Sequence, residues 1–141
     1  MADHPKAPKV KLFGLVLTLG WLTLPVSPAL AAPSWTEVGT FASGLSYVDL
    51  DSATHQKNLT QVVTMLSYDS PQVYSSKKTY QSTRTIMEFD CAKHLVHAQS
   101  VVFYSGPLLS GNAISKEGVI SSLEPVPRGT PIEKIMHQVC D

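Results

Sequence analysis

The two cysteines, Cys91 and Cys140, carry the most definite chemistry in the sequence. In an exported protein, which the N-terminal residues indicate, cysteines are usually paired in disulfides. Two cysteines alone do not complete a structural zinc site, which usually takes four ligands, and the sequence has no Cys-x-x-Cys motif of the kind used in redox catalysis. We therefore predict a structural disulfide between Cys91 and Cys140, which would close a loop of about 50 residues and stabilise the fold by about 4 kcal/mol.

Carboxylates and histidines are the next candidates for chemistry. Asp49 and Asp51 are two residues apart, so on a strand they share a face and could serve acid–base chemistry, as in a hydrolase, or bind a cation. The alternative is a strand end that runs into an Asp-Ser turn, in which aspartates accept backbone hydrogen bonds. His94 and His97 are three apart, so on a strand they point to opposite faces and do not form a metal-binding pair. No nucleophile elbow or phosphate-binding glycine motif is present, so we assign no catalytic residue, no metal ligand and no cofactor.

The residues that suit protein binding are a basic cluster and a pair of leucines. Lys77 and Lys78, with Arg84 nearby, are either part of a solvated hairpin tip or a contact for an acidic patch on a protein partner. Leu108 and Leu109 lie in a stretch rich in glycine and proline, where they either pack under a loop or form a small exposed contact. We take all five residues as candidate partner-binding positions.

Three tyrosines suggest a further candidate surface. Tyr47, Tyr68 and Tyr80 fall in or beside predicted strands, and the pattern allows all three to lie on a single sheet face. An exposed aromatic face would suit protein binding, because aromatic residues are enriched in protein interfaces. The alternative is that the three rings pack beneath a helix.

These residues must be positioned mainly by strands. Alternation of polar and apolar residues and an abundance of β-branched residues predict strands at 45–50, 59–68, 79–90, 93–104 and 119–123. Polar stretches at 51–58 and 69–78 predict turns, and the stretch 105–118, which contains Gly-Pro and Gly-Asn, predicts a loop. Because short turns join consecutive strands, the pattern predicts an antiparallel sheet with one covered face.

The cover for that sheet is a predicted helix at Thr130–Cys140. Thr130 is a suitable N-cap, Pro131 suits the first helical position, and Glu133 stands where a capping box needs its carboxylate. The apolar residues of the segment fall on one stripe: Ile132, Ile135, Met136 and Val139. We therefore predict an α+β fold in which this C-terminal helix packs on one face of the sheet and is tied to it by Cys91–Cys140.

The first 31 residues have the organisation of a secretory signal peptide. Three lysines give a positive start, Leu12–Val26 is an apolar core of about 15 residues, and Ala29-Leu30-Ala31 is an Ala-x-Ala exit site. A membrane-spanning helix needs about 20 apolar residues, so cleavage after Ala31 is favoured over an uncleaved anchor. We predict a signal peptide at 1–31, a single domain at 32–141 and no integral membrane segment after cleavage.

The charge of the predicted mature chain limits its partners. Removing the three leader lysines and Asp3 leaves eight basic and ten acidic residues, a net charge of −2. A nucleic-acid-binding protein needs a concentrated basic surface, so this balance argues against nucleic acid as a partner. The chain also has no polybasic patch of the kind that binds anionic membranes.

An ordered set of residues along the mature chain resembles the surface-adhesin protein E family of bacteria. The resemblance covers nearly the whole predicted domain, and the order of the motifs carries it rather than any single one. The set consists of Trp35 to Val38, Tyr47 to Ser52, Glu88-Phe89-Asp90-Cys91, Tyr104, Pro125 to Thr130 and Val139-Cys140. The resemblance implies an antiparallel sheet of about six strands with a C-terminal helix held to it by the disulfide.

The same resemblance implies an exported bacterial envelope protein, located in the periplasm, on the cell surface or in the medium. It also implies a non-enzymatic binding module, because the family is named for an outer-membrane adhesin that binds host extracellular-matrix and serum proteins such as laminin and vitronectin. The alternative of a different class is a periplasmic carrier of a small ligand or haem. The sequence leaves the ligand and the oligomeric state open, since fold transfers between relatives better than function.

Overall fold

The computed structural model describes residues 32–118 and 122–141. The described elements are β1 (Trp35–Phe41), β2 (Gly44–Gln56), β3 (Leu59–Ser75), β4 (Lys78–Asp90), β5 (Leu95–Tyr104), a 3₁₀ turn (Pro107–Leu109), β6 (Ala113–Gly118), β7 (Glu124–Pro125) and α1 (Pro131–Cys140). The predicted signal peptide at 1–31 lies outside the described residues. In the part of the chain that is described, no helix has the length and apolar content needed to span a bilayer.

Within these residues, six strands pair in the order β1-β2-β3-β4-β5-β6, each antiparallel to its neighbour. The short β7 pairs with the start of β5, where Leu95 lies opposite Pro125. Sequence order and spatial order coincide in the six-stranded path because consecutive strands are joined by short connections. The predicted antiparallel sheet with a C-terminal helix is confirmed.

The strands are longer than the sequence predicts. Both β2 and β3 continue through polar stretches, so the predicted turns at 51–58 and 69–78 shrink to two residues each. Backbone pairing holds these polar extensions in the ladder, and pairing does not require apolar side chains. The register shifts between residues 49 and 54 of β2 and between residues 67 and 72 of β3, so both long strands carry bulges.

The predicted loop at 105–118 is wrong in its second half. Ala113–Gly118 forms the edge strand β6, in which Lys116 lies opposite Val102 of β5. Its sequence is mostly small or polar, and the strand exists because it pairs with β5, a tertiary effect that overrides local propensity. The predicted last strand at 119–123 begins outside the described residues, and its described residues 122 and 123 are not in a strand, since pairing begins at Glu124.

Helix α1 begins at Pro131, as the capping pattern predicts. The Thr130 hydroxyl accepts a hydrogen bond from the Glu133 N–H at 3.4 Å, and the Glu133 carboxylate accepts one from the Gly129 N–H at 2.7 Å. These bonds satisfy backbone donors at the start of the helix. Glu133 reaches one residue further back than in a standard capping box, where it would bind the N–H of the cap residue itself.

One face of α1 is buried against the sheet. Its residues Ile135, Met136 and Val139 join a cluster with four strand residues, which are Val48, Val62, Phe89 and Val96. Burying side chains of this kind stabilises the fold by about 1.5–3 kcal/mol each. The predicted disulfide is present: Cys91 follows β4, Cys140 ends α1, and their Cα atoms are 5.5 Å apart.

Replacing Cys140 with serine should lower the free energy of unfolding by roughly 2–5 kcal/mol, because the unfolded chain regains the freedom that the closed loop removes. Urea denaturation followed by circular dichroism measures this change. Cys91→Ser should cost the same, and the double variant should cost no more than either single variant, because all three lose one bond. An unfolding midpoint for Cys140→Ser equal to that of the parent would contradict the prediction and show that α1 docks without the disulfide.

Candidate functional site

Alternation along the strands gives the sheet two faces. Val48 belongs to the core beneath α1, so its neighbour Tyr47 points to the other face. Residues directly opposite one another in successive strands share a face. The cross-strand row that contains Tyr47 consists of Glu37, Tyr47, Met65, Arg84, Val102 and Lys116. We call the face that carries this row the far face, and the one that carries α1 the helix-side face.

The far face is largely apolar. The next cross-strand row on it includes Trp35, Asp49, Val63, Ile86 and Ser100. Met65 is buried at 2% exposure, and the other apolar residues of both rows are half-buried: Trp35, Tyr47, Val63, Ile86 and Val102. Apolar and aromatic side chains that keep part of their surface in solvent are the composition of a protein-binding surface.

A loop covers one end of the far face and presents a leucine there. The Leu108 N–H donates to the Ser67 hydroxyl at 3.2 Å, and the Leu109 N–H donates to the Ser82 hydroxyl at 2.9 Å. The Ser82 hydroxyl in turn donates to the Gly106 carbonyl at 2.6 Å. The loop is therefore anchored by its backbone, which leaves the Leu108 side chain 57% exposed while Leu109 is half-buried.

The two candidate lysines lie elsewhere. Beyond the part of the sheet where β3 pairs with β2 and β4 pairs with β5, residues 72–75 of β3 pair only with residues 78–80 of β4. These residues form a two-stranded arm, and Lys77 and Lys78 are at its tip. Tyr74 of this arm contacts the Phe103 ring at 5.1 Å, and its hydroxyl binds Ser115 at 2.9 Å. Phe103 and Ser115 are on the helix-side face, because they alternate with Val102 and Lys116. The structure thus brings Arg84, Leu108 and Leu109 to one end of the far face. It places Lys77 and Lys78 on an arm that bends toward the helix-side face.

An aromatic row lies on the helix-side face. Phe41 contacts Tyr68 at 5.3 Å, Tyr68 contacts Tyr80 at 5.5 Å, and Tyr80 contacts Phe103 at 5.0 Å between ring centroids, each pair edge to face. The expectation that Tyr47, Tyr68 and Tyr80 share one face is wrong, because Tyr47 is on the far face. The sequence could not show this, because the register decides it: Tyr68 lies opposite Gly44, which is three residues from Tyr47 and so on the other face.

A buried carboxylate lies at the other end of the far face and is hydrogen-bonded by residues of the neighbouring strands. Glu88 is 9% exposed and accepts hydrogen bonds from the side-chain amides of Gln61 at 2.8 Å and Gln99 at 2.7 Å. His97 Nε2 contacts the second oxygen of the Glu88 carboxylate at 3.1 Å. Sequence reasoning missed this network, because four polar residues on three strands become neighbours only through the register. His94 is in the preceding turn with φ of 54°, so the two histidines do not alternate along one strand.

Asp49 and Asp51 have different environments. Asp49 is buried at 8% exposure, and within the described residues its Oδ1 has no hydrogen-bond partner, whereas Asp51 is exposed. The β2 bulge follows Asp49, where the Ser52 hydroxyl donates to the Asp49 carbonyl at 2.6 Å and accepts from the Val63 N–H at 2.8 Å. In the described part of the chain, no group of three or more His, Cys, Asp or Glu side chains is arranged to hold a metal ion.

Small depressions occur at several other places among the described residues, and two of them have either the volume or the apolar lining that a ligand pocket needs. One of about 460 Å³ lies at the β2–β3 turn and is lined mainly by the polar residues 56–58 and Asp90. Another, of about 250 Å³, has apolar walls and lies between the start of α1 and the residues Phe41, Ser46 and Leu66. Ligand pockets usually have about 300–1,000 Å³ and mostly apolar walls. One depression is polar and the other small, so neither favours the haem-carrier alternative.

Comparisons with known proteins support the fold. A family model described as surface-adhesin protein E matches residues 35–141. The selenomethionine form of protein E from Haemophilus influenzae is similar over 78% of this chain and 92% of its own, with a TM-score of 0.51 and 13% identity. Protein E from non-typeable Haemophilus influenzae is similar over 82% of this chain and 81% of its own, with a TM-score of 0.53 and 12% identity. At such identity the likeness shows the fold alone, and no curated protein matches the chain.

Glu88→Gln should lower the free energy of unfolding by about 1–3 kcal/mol, because glutamine offers one acceptor oxygen where the carboxylate offers two and turns an NH₂ group toward buried donors. Urea denaturation measures the change. Glu37→Gln is the matched control, since Glu37 is exposed on β1, and it should stay within about 0.5 kcal/mol of the parent. Equal stabilities of the two variants would show that the network does not stabilise the fold.

Tyr68 should make stability depend on pH in the alkaline range. Burial, reinforced by Tyr80, raises the pKa of Tyr68 from its ordinary 10.0 to about 12. The unfolded chain therefore loses this proton first, so the contribution of Tyr68 to stability is complete below pH 10 and is lost as the pH rises toward 12. Urea denaturation on either side of pH 10 should show a smaller alkaline decline in Tyr68→Phe than in the parent. Tyr47→Phe, which removes a hydroxyl from the far face, should keep the parent's decline; identical declines in all three proteins would contradict the assignment to Tyr68.

Proposed function

The chain belongs to the surface-adhesin protein E family, and from that membership we propose that residues 32–141 form a non-enzymatic module that binds host extracellular-matrix or serum proteins. The observation that carries the proposal is the family match, which spans residues 35–141 and so nearly the whole predicted domain. The geometry adds to it a surface of suitable chemistry on the face of the sheet that α1 does not occupy.

The binding surface in this proposal is the end of the far face where Arg84 and the leucine loop lie. Leu108 is exposed enough to enter a partner's pocket, and its backbone is held by hydrogen bonds to Ser67, so little conformational entropy is lost when it binds. Arg84 is half-buried among Met65 and Val102 on the same face. Arginine is one of the side chains that often dominate the binding energy of an interface.

Lys77 and Lys78 form a second, separate contact in this proposal. They are exposed at the tip of the β3–β4 arm, and exposed lysines act mainly by steering an acidic partner during association. Because the arm bends toward the helix-side face, these lysines would meet a different part of the partner from the one that Arg84 meets. Their loss should therefore change the rate of association more than the rate of dissociation.

Export is the remaining part of the proposal. A family of surface adhesins implies an exported or surface location, and the predicted signal peptide at 1–31, cleaved after Ala31, would supply the route. An adhesin must be reachable from outside the cell, so we place the mature protein on the cell surface or in the medium rather than in the periplasm. Protease accessibility on intact cells, compared with lysed cells, distinguishes these locations.

Immobilised laminin and vitronectin should bind the exported protein saturably, and Leu108→Ser should weaken that binding by at least about tenfold, equivalent to about 1.4 kcal/mol. A solid-phase assay with albumin as the blank measures it. Leu50→Ser is the matched control, because Leu50 is also exposed, at 38%, but lies at the β2 bulge, and it should bind like the parent. Absence of saturable binding by the parent would remove the host-matrix function, and equal losses in both variants would remove the far-face surface.

A further inference from the structure

Two cations flank an apolar residue on the far face. Arg84 of β4, Val102 of β5 and Lys116 of β6 lie directly opposite one another in successive strands. Strands in a sheet are about 4.8 Å apart, so the Arg84 and Lys116 Cα atoms are about 10 Å apart. Both side chains are long enough to meet over Val102 at a single acidic group.

Neither cation is neutralised within the described residues. The ion pairs there are Lys93–Asp90, His97–Glu88 and His137–Asp141. Glu88 is four residues from Arg84 along β4, about 14 Å away. Asp49 is two strands from Arg84 and one row further along, about 12 Å away, and Glu37 is in the same row but three strands away, about 14 Å. The acidic side chains of the far face are therefore too distant to pair with Arg84.

The carboxylate next to Lys116 in the sequence is held on the opposite face. Glu117 alternates with Lys116 along β6 and so points to the helix-side face. There it accepts a hydrogen bond from the Tyr74 hydroxyl at 2.5 Å. The arm thus keeps this negative charge away from Arg84 and Lys116. The end of the row formed by β4 to β6 therefore has a local positive charge in a domain whose net charge is negative.

The Arg84 side chain is suited to binding a carboxylate. Its guanidinium presents a planar fork that matches the two oxygens of a carboxylate. Because Arg84 is half-buried beside apolar residues, a bound carboxylate would be screened less by water than at an exposed lysine. Lys116 is exposed and adds a second, mobile charge.

We propose that the row Arg84–Val102–Lys116 is a subsite for an acidic side chain, glutamate or aspartate, on an extended segment of a protein partner. The proposal rests on the proposed function, which it makes specific by naming the chemistry of the partner. Charge complementarity selects an acidic segment, and Val102, which is half-buried between the two cations, gives that segment an apolar contact. Sulfated polysaccharide is the competing occupant.

The test uses the full 141-residue chain, expressed with its leader and purified as the exported product. Fluorescence anisotropy measures the binding of two labelled peptides, one of alternating glutamate and serine and one of alternating glutamine and serine. We expect the glutamate peptide to bind the parent at least tenfold more tightly than the glutamine peptide. Arg84→Gln and Lys116→Gln should each weaken glutamate-peptide binding by about tenfold, and Arg84→Lys should lose part of that, because lysine keeps the charge without the fork.

Lys57→Gln is the matched control, since Lys57 is an exposed cation at the β2–β3 turn, and it should bind like the parent. Equal binding of the two peptides by the parent, or an equal loss in Lys57→Gln, would overturn the subsite. Tighter binding of heparin fragments than of the glutamate peptide would also overturn it, because the occupant would then be a polysaccharide. Unfolding midpoints are compared first, and if Arg84→Gln does not fold, the exposed Lys116→Gln decides.

Binding of the same proteins to immobilised laminin and vitronectin separates this proposal from the proposed function. Glutamate-peptide binding that depends on Arg84, without matrix-protein binding by the parent, would support the subsite and remove the host-matrix function. Saturable matrix-protein binding that neither Arg84→Gln nor Lys116→Gln changes would keep the function and overturn the subsite.

Discussion

The docking of α1 on one face of the sheet is the interaction on which the use of the remaining surface depends. A helix of ten residues is marginal by itself, so α1 exists because Ile135, Met136 and Val139 are buried among strand residues. The disulfide between Cys91 and Cys140 adds a covalent constraint at the far end of the helix. With α1 docked on the helix-side face, the far face has no covering helix and keeps apolar and charged side chains partly in solvent.

Strand alternation then gives the two faces different chemistry. Lys116 and Glu117 are neighbours in the sequence with opposite charges, yet they point to opposite faces and do not neutralise each other. Tyr74 reinforces that separation, because its hydroxyl binds Glu117 on the helix-side face. In contrast, both carboxylate oxygens of buried Glu88 have partners within the protein: Gln61, Gln99 and His97. Where β4 to β6 form the far face, the charged side chains that reach solvent are therefore the cations Arg84 and Lys116.

The family relationship explains why fold and binding chemistry have to be considered separately. The similar solved structures share only 12–13% identity with this chain at TM-scores of 0.51–0.53. Backbone ladders and well-filled apolar cores tolerate extensive substitution as long as volume and pattern are kept. A shared fold at such identity therefore does not by itself fix the side chains on the far face.

Local signals in the sequence determined the features that depend on neighbouring residues. Thr130, Pro131 and Glu133 specify the start of α1, the apolar stripe specifies its buried face, and the two cysteines allow one intramolecular pairing. Alternation and β-branched residues specify the central parts of β2 to β5, but not their polar ends. The resemblance to the family added the approximate number of strands and the class of function.

The tertiary structure alone decided which distant residues meet. Strand β6 forms because β5 offers an edge to pair with, and its own sequence carries little strand preference. The register of β2 and β3 places Tyr47 opposite Met65 and Tyr68 opposite Gly44, so Tyr47 and Tyr68 lie on different faces although their spacing permits a shared one. The Glu88 network and the row of Arg84, Val102 and Lys116 arise from pairing register, which is a relation between strands. A single sequence records the side chains of each strand but not that relation, because a shift of one residue in register exchanges the two faces.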